Sequence, residues 1–428
     1  MRILYIADNR NRHNWGCRAT SAALSEMISK EHKIVGRISG RFTMSKEPVY
    51  VPLWNGKLNS LIYKNEVTYA LSKQIIKKMP HSINSSFDFL SDDFDKSIEL
   101  IKQFSQVNAE YKEINLDLYS YDAIVINGEG TMIMTSPWRR DTLYYLLFTY
   151  WAKKRGKKVF FVNAMFSDCP KTGRNEKTIS LMKNILSKCD MIGVRDPLSY
   201  RYAKETIGLE DCEYIPDALF SWVKYYHQEN IIKNIRDILP YGCESDKALS
   251  GSDISADGYI CVSGSSAAAW NQRVACTAYT RFVKELKKKT NCPIFLVQVC
   301  SGDAFLEKVA RMTDTYFVPV QVPIISGLNL LAHAKLYISG RYHPSIMASL
   351  GGTPCIFLGA NSHKNMGLQE MLEYDMPKEY HACPSEEDIE GICRDAQELM
   401  NDVKRRKKIK EVCAQRADEA GRIIEQIK

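Results

Sequence analysis

The 428-residue chain has no Cys-x-x-Cys pair among its 13 cysteines and no His-x-x-x-His spacing among its 8 histidines. An odd number of scattered thiols, several in apolar strand-like stretches such as those around Cys261 and Cys300, excludes a disulfide framework. No zinc-type ligand spacing remains, so no metal is expected. Long apolar runs are also missing. The longest, Tyr144–Trp151, is broken by Thr149 and falls short of the roughly 20 residues that span a bilayer. No leader precedes Met1–Ile6, which reads at once as a buried strand, so a cytoplasmic chain is expected. Low-complexity segments are absent, and 45% hydrophobic with 25% charged residues is globular usage that excludes disorder. No aromatic-interleaved basic groove or known nucleic-acid module occurs, so nucleic acid is not an expected partner.

What is present is a modest positive excess, 58 Lys and Arg against 50 Asp and Glu for a net charge of +8, with a basic run at 404–410. That run reads as a solvated helix face. The sharper alternative is an anionic membrane surface on the cytoplasmic side, or a pyrophosphate-linked acceptor.

Strand-like and helix-like segments alternate along the chain. Strands are expected at Ile3–Ile6, Ala123–Asn127, Lys158–Asn163 and Met191–Val194, then at Tyr259–Ser263, Pro293–Val299, Leu336–Ser339 and Pro354–Leu358, with helices between them. Such alternation makes α/β architecture with parallel sheets covered on both faces. We expect two Rossmann-like domains facing across a cleft. The first spans 1–225 with a less regular insertion at about 40–118 that carries Trp54 and Tyr63. A linker at 226–256, a second domain at 257–395 and a C-terminal helical tail at 396–428 complete the chain.

Four loops at strand ends stand out, because strand C-termini and helix N-termini collect ligand-binding groups in such folds. In Asn14-Trp15-Gly16, Gly16 would let the backbone approach an anion or acceptor at a helix start. It is not a dinucleotide fingerprint. In Gly128-Glu129-Gly130, two glycines flank a carboxylate suited to act as general base toward a hydroxyl. In Val194-Arg195-Asp196-Pro197, capping accounts for Asp196 and Pro197. Arg195 is different: a cation opposes the dipole of the helix that follows unless an anion binds there. In Gly340-Arg341-Tyr342-His343-Pro344-Ser345, a guanidinium fork and an imidazole sit together. Lys364, after the next strand, reads by default as a surface lysine, with a further phosphate contact on the same rim as the sharper alternative.

In this order, these motifs resemble the polysaccharide pyruvyl transferase family. The resemblance also takes in Asp217-Ala218 and Lys364-x-x-Gly367. It implies a two-domain GT-B fold that moves the enolpyruvyl group of phosphoenolpyruvate onto two sugar hydroxyls as a cyclic ketal, with phosphoenolpyruvate as co-substrate and no other cofactor. Arg195 and Arg341, with Lys364 and Ser345, would hold the donor. His343 would donate a proton or bind phosphate, and Glu129 would be the base. Asn14, Gly16, Gly128 and Gly130 would face the acceptor, a sugar or lipid-linked oligosaccharide of surface-polysaccharide assembly. The sequence departs from the family where Glu129 stands between glycines and where the loop Asn163–Asp168 lacks a Gly-rich or His-bearing pattern. Glu129-Gly130 with His343-Pro344 is also similar to bacterial sialyl- and Kdo-type transferases. That alternative implies a CMP-sugar or other nucleotide-sugar donor, with Glu129 as base and His343 at the donor phosphate.

Overall fold

The computed structural model describes residues 1–40, 89–106, 109–227 and 258–428, together with Val67 and Leu71. Trp54 and Tyr63 of the insertion, and most of the 226–256 linker, lie outside the described residues.

The N-terminal lobe contributes β1 (Arg2–Ile6), β2 (Lys33–Ile38), β3 (Ala123–Asn127), β4 (Met132–Met134), β5 (Lys158–Ala164), β6 (Phe166–Asp168), β7 (Met191–Val194) and β8 (Cys212–Tyr214). Six of these form a parallel sheet in the order β2-β1-β3-β5-β7-β8, and β4 pairs with β6 beside it. The C-terminal lobe contributes β9 (Ile260–Ser265), β10 (Ile294–Val297), β11 (Tyr316–Val318), β12 (Leu336–Gly340) and β13 (Cys355–Phe357), a parallel sheet ordered β11-β10-β9-β12-β13. Central strands such as β3 (AIVIN) and β12 (LYISG) are buried at every position. Helices cover both faces of each sheet, so no polar face is required and the strands read as continuous apolar runs. In each sheet the strand order reverses at one crevice, between β1 and β3 and between β9 and β12. Open α/β sheets bind ligands at such points.

In the N-terminal lobe the helices are α1 (Trp15–Glu31), α2 (Phe94–Phe104), α3 (Ala109–Ile114), α4 (Arg140–Lys154), α5 (Glu176–Leu186) and α6 (Pro197–Tyr202). The C-terminal lobe carries α7 (Gln272–Thr290), α8 (Phe305–Thr313), α9 (Ile324–Ala332), α10 (Tyr342–Ser349) and α11 (Lys364–Met371), and α12 (Glu386–Leu399), α13 (Val403–Ala420) and α14 (Arg422–Gln426) end the chain. One apolar cluster runs from Trp15 and Leu24 through Phe220 to Ile346 and Ile409, so the two lobes share a core. Trp15 fastens them: its backbone N–H donates to Val299 O (2.8 Å) and its indole N–H to Val320 O (2.9 Å).

The tail differs from the single helix expected at 396–428. Asp402 caps a new helix by accepting from Arg405 N, and a second break falls at Gly421. α13 packs on the 3-10 segment Ala218–Tyr225, and Arg422 of α14 pairs with Glu213 at 2.8 Å, so the tail returns to the N-terminal lobe. The basic run is also not a plain solvated face. Arg405 donates to Leu372 O and Glu373 O and lies over Tyr374, while Arg406 donates to Ala334 O. Both guanidiniums close the C-terminal ends of other helices, where unpaired carbonyls and the dipole favour a cation. Lys408 pairs with Glu373 and Lys407 with Glu411, which weakens the run as a lipid-binding surface. Among the described residues no helix is long and apolar enough to cross a membrane.

Candidate active site

A cleft of about 190 Å³ lies between the lobes where both sets of strand ends meet. Asn14, Gly16, Glu129, Gly130, Arg195, Arg341, His343 and Lys364 all line it. Gly128 and Ser345 do not.

Behind its wall, under Arg195 and His343, is a carboxylate. Asp217 is fully buried; its Oδ1 accepts from Thr20 Oγ1 (2.7 Å) and Leu219 N (3.0 Å). Its Oδ2 takes His343 Nε2 at 3.1 Å and Arg195 Nη1 at 3.4 Å. Burial alone would raise this carboxyl, but His343 and Arg195 outweigh it and hold it at about 2. Asp217 is therefore ionised at neutral pH. His343 Nε2 also lies 3.1 Å from Arg195 Nη1. With an anionic oxygen in reach, Nε2–H donates to Asp217, and Nδ1 is the nitrogen left for a ligand. Arg195 stacks its guanidinium 4.1 Å above the Tyr342 ring, a cation–π contact that fixes the plane of the fork.

The second guanidinium has its own carboxylate. Arg341 Nη2 donates to the fully buried Asp303 at 2.5 Å, and Asp303 holds the guanidinium above its ordinary value against the opposing effect of burial. Arg195 and Arg341 each leave a buried Nε–H without a partner, a donor capacity that a folded protein rarely leaves unused.

Lys364 is not the surface lysine that its position after a strand suggests. Its Nζ donates only to neutral oxygens, Ser266 Oγ (3.0 Å) and Asn361 Oδ1 (2.9 Å). Burial, then Arg341 and Arg195, push its ammonium down from 10.5 to about 7, with Glu379 offsetting only part.

On the opposite wall Glu129 is nearly buried. Its Oε1 accepts from Asn9 Nδ2 (2.7 Å), Asn127 Nδ2 (3.1 Å) and Ser21 Oγ (3.3 Å). Three neutral donors on one oxygen orient the carboxylate and leave Oε2 to the cleft. Glu129 has φ 41°, and Asn163 on the neighbouring strand φ 53°. Left-handed non-glycine residues cost about 1–3 kcal/mol each and concentrate at functional sites. Asn163 links the walls, donating to Thr20 Oγ1 and Asn127 Oδ1 while Ala218 N donates to its Oδ1.

Three expectations are corrected. Ser345 is fully buried inside α10 and donates to Arg341 O at 2.8 Å; it closes a helical turn and does not reach the donor. Gly128 lies off the cleft, where a Cβ would meet Phe161 and the Ala164 backbone at 2.8–2.9 Å; its small size serves strand packing. Gly16 does line the cleft, but what approaches it is a side chain: a Cβ there would stand 2.8 Å from His343 Cβ and Nδ1. Asn14 caps α1 through Cys17 N (3.1 Å) and bridges to Cys300.

The Gly16 contact gives a testable outcome. In Gly16→Ala the gain in helix propensity of about 1 kcal/mol is offset by overpacking of about 1–3 kcal/mol. Stability should change little while His343 is displaced. Turnover is expected to fall by the order of 10²-fold, as for a misplacement of about 1 Å. Steady-state kinetics beside a thermal melt check this, and unchanged turnover would show that His343 tolerates the shift.

Two Rossmann-like lobes whose strand ends oppose one another across a cleft lined by cations and the carboxylates Glu129 and Asp141 define an enzyme of the GT-B fold. Solved structures similar over nearly the whole chain bear out the fold. They include a Methanocaldococcus jannaschii UDP-GlcNAc 2-epimerase in complex with UDP-GlcNAc and UDP (13% identity, TM-score 0.52, 97% of this chain and 99% of that one). S. aureus MnaA with UDP (13%, 0.54, 96% and 91%) and Arabidopsis thaliana UGT89C1 with UDP-L-rhamnose (10%, 0.52, 100% and 97%) are similar in the same way. No curated protein sequence matches the chain. The chain belongs to the polysaccharide pyruvyl transferase family, whose model matches residues 50–362, and it is a transferase. Asn14, Gly16 and Lys364 fall outside the matched span.

Proposed function

We propose that the enzyme transfers the enolpyruvyl group of phosphoenolpyruvate to two hydroxyls of a sugar in surface-polysaccharide assembly, forming a ketal and releasing phosphate. The observation that carries this reading is the convergence of Arg195, Arg341, His343 and Lys364, from both lobes, on one small cleft. Phosphoenolpyruvate is a compact trianion, and its phosphate and carboxylate suit two guanidinium forks with unspent donors. The cavity of about 190 Å³ is below the roughly 300–1,000 Å³ of pockets that enclose drug-sized ligands.

In the reaction the donor methylene takes a proton from His343 and becomes a methyl group, which makes C2 electrophilic. The first sugar hydroxyl adds to C2 and gives its proton to Glu129. Phosphate departs with its bonding pair, and the second hydroxyl closes the ketal as its proton leaves with phosphate. One donor and two hydroxyls thus become one ketal and one hydrogen phosphate, with no change of oxidation state, and the proton gained by Glu129 is lost to solvent as His343 regains one, which restores both groups. A sugar or lipid-linked oligosaccharide would bind on the Glu129 side, and an enzyme acting on a lipid-linked acceptor would work at the inner face of the membrane.

Lys364 supplies the test. At pH 8 it is mostly neutral, because its ammonium titrates at about 7. A bound trianion stabilises the ammonium and raises that value, so binding is linked to proton uptake. Titrations with phosphoenolpyruvate at pH 8, in two buffers of different ionisation enthalpy, should show close to one proton taken up. Uptake should shrink at pH 6, where Lys364 is already charged, and vanish in Lys364→Met. Identical heats in both buffers at pH 8 would remove Lys364 from the donor site.

A further inference from the structure

Two of the donor cations stand at the starts of helices that come from different lobes and touch each other. Arg195 lies two residues before α6, and Lys364 opens α11. The first turns pack at contact distance: a Cβ on Gly367 would stand 2.6 Å from Asp196 Oδ1. Two polar contacts cross this joint. Arg201 pairs with Glu370 at 2.9 Å, but the side chains are 49% and 41% exposed, where solvent leaves such a pair little strength. The other contact is shielded. His363 Nε2 lies 3.1 Å from Ser199 Oγ, and both Ser199 and its neighbour Asp196 are fully buried. Ser199 Oγ–H donates to Asp196 Oδ2 (2.7 Å), and Ser199 N donates to Asp196 Oδ1 (2.8 Å). With its one hydrogen spent, the hydroxyl accepts, so His363 donates through Nε2–H.

The groups facing His363 are Asp196, Arg195, Asp168, Arg201 and, edge-on, the Tyr202 ring. Burial outweighs the carboxylates and lowers the imidazole from 6.5. At pH 7 it is therefore neutral, and the single N–H it carries goes to Ser199. His363 stands at the N-cap of α11, yet its side chain caps nothing there; its bond crosses to the other lobe. It does not line the cleft. We propose that His363 is a positioning residue for the donor site: its bond to Ser199 fixes the start of α11 on the start of α6 and so sets Lys364 against Arg195. This role rests on the reading of those two cations as ligands of phosphoenolpyruvate. Lys364 faces Arg341, Arg195, Glu379 and Cys300. Loosening the joint would let water reach its ammonium and carry it away from Arg195.

The test compares full-length wild type with three variants. His363→Leu keeps bulk without a donor, His363→Gln places an amide N–H near the Nε2 position, and Ser199→Ala removes the acceptor. Calorimetry gives the Kd for phosphoenolpyruvate. In donor-free protein, acetic anhydride labelling of Lys364 is followed against pH by peptide mass spectrometry. The wild-type labelling midpoint should lie at about 7. In His363→Leu and Ser199→Ala the Kd should weaken about tenfold, the worth of one hydrogen bond. The midpoint should move up toward the ordinary 10.5. His363→Gln should restore both readings, and Glu370→Gln, which breaks only the exposed pair, should change neither. Wild-type readings in a folded His363→Leu would overturn the role, as would His363→Gln being as defective as His363→Leu. An equal defect in Glu370→Gln would also overturn it, by making the effect one of lobe adhesion in general. Unchanged readings in Ser199→Ala would do the same, and that variant decides the matter if His363→Leu does not fold. Phosphoenolpyruvate failing to bind wild type would remove the pyruvyl reading, while the labelling of Lys364, which needs no donor, would still decide whether His363 sets it.

Discussion

Asp217→Ala is expected to destabilise the protein by about 3–5 kcal/mol, because it leaves the Arg195 guanidinium, 1% exposed, as an uncompensated buried charge. Denaturant unfolding measures the loss. The double variant Asp217→Leu with Arg195→Met should lose less than Asp217→Ala alone, since removing both charges removes the penalty with the attraction. The same coupling sets a pH dependence. A carboxyl held at about 2 in the fold, against 3.8 ordinarily, contributes stability that is fully present above about pH 4. That contribution disappears as pH falls toward 2, and in Asp217→Asn this part of the acid response should be missing. A double variant less stable than the single, or an acid limb unchanged in Asp217→Asn, would show that Asp217 is not the counter-charge of the site.

His343→Ala should leave a folded protein with turnover reduced about 10²–10⁴-fold, the usual worth of a positioned acid or base. Arg341→Ala should lose activity as severely, by a different route. It removes a donor contact and also strands Asp303, whose Oδ2 already lacks a partner. Arg341→Ala with Asp303→Ala is therefore the cleaner variant: it should regain stability over Arg341→Ala and stay inactive. Arg195→Lys should also fall by about a hundredfold or more, because a point charge cannot stack on Tyr342 while reaching both Asp217 and a ligand. Near-normal kcat in the folded Arg341 and Asp303 double variant would remove Arg341 from the donor site.

The elements were legible where one physical rule decides them. The buried strands β3 and β12 are runs of apolar residues, and their ends carry Glu129 and Arg341-Tyr342-His343, so the strand rule also found most of the cleft. What the sequence withheld is long-range pairing. Asp217 shows locally only as the cap of a short 3-10 segment, yet its partners lie at Thr20, Arg195 and His343. Asp303 has no local signature, and its role shows only once Arg341 is placed beside it. Ser345 and Gly128 show the converse. Each sits in the right loop, and only burial separates a residue that shapes the cleft from one that lines it. Arg405 and Arg406 belong with them, because the carbonyls they cap lie 32 to 72 residues away.

The central claim is that this cleft is built for phosphoenolpyruvate, and calorimetric titration tests it most directly. Saturable binding of phosphoenolpyruvate is expected for the wild-type protein and should be lost in the Arg341 and Asp303 double variant. CMP, UDP and GDP should give no comparable binding. Tight binding of one of those nucleotides with none of phosphoenolpyruvate would contradict the account, and would make Glu129 and His343 the base and phosphate ligand of a sugar-nucleotide transferase.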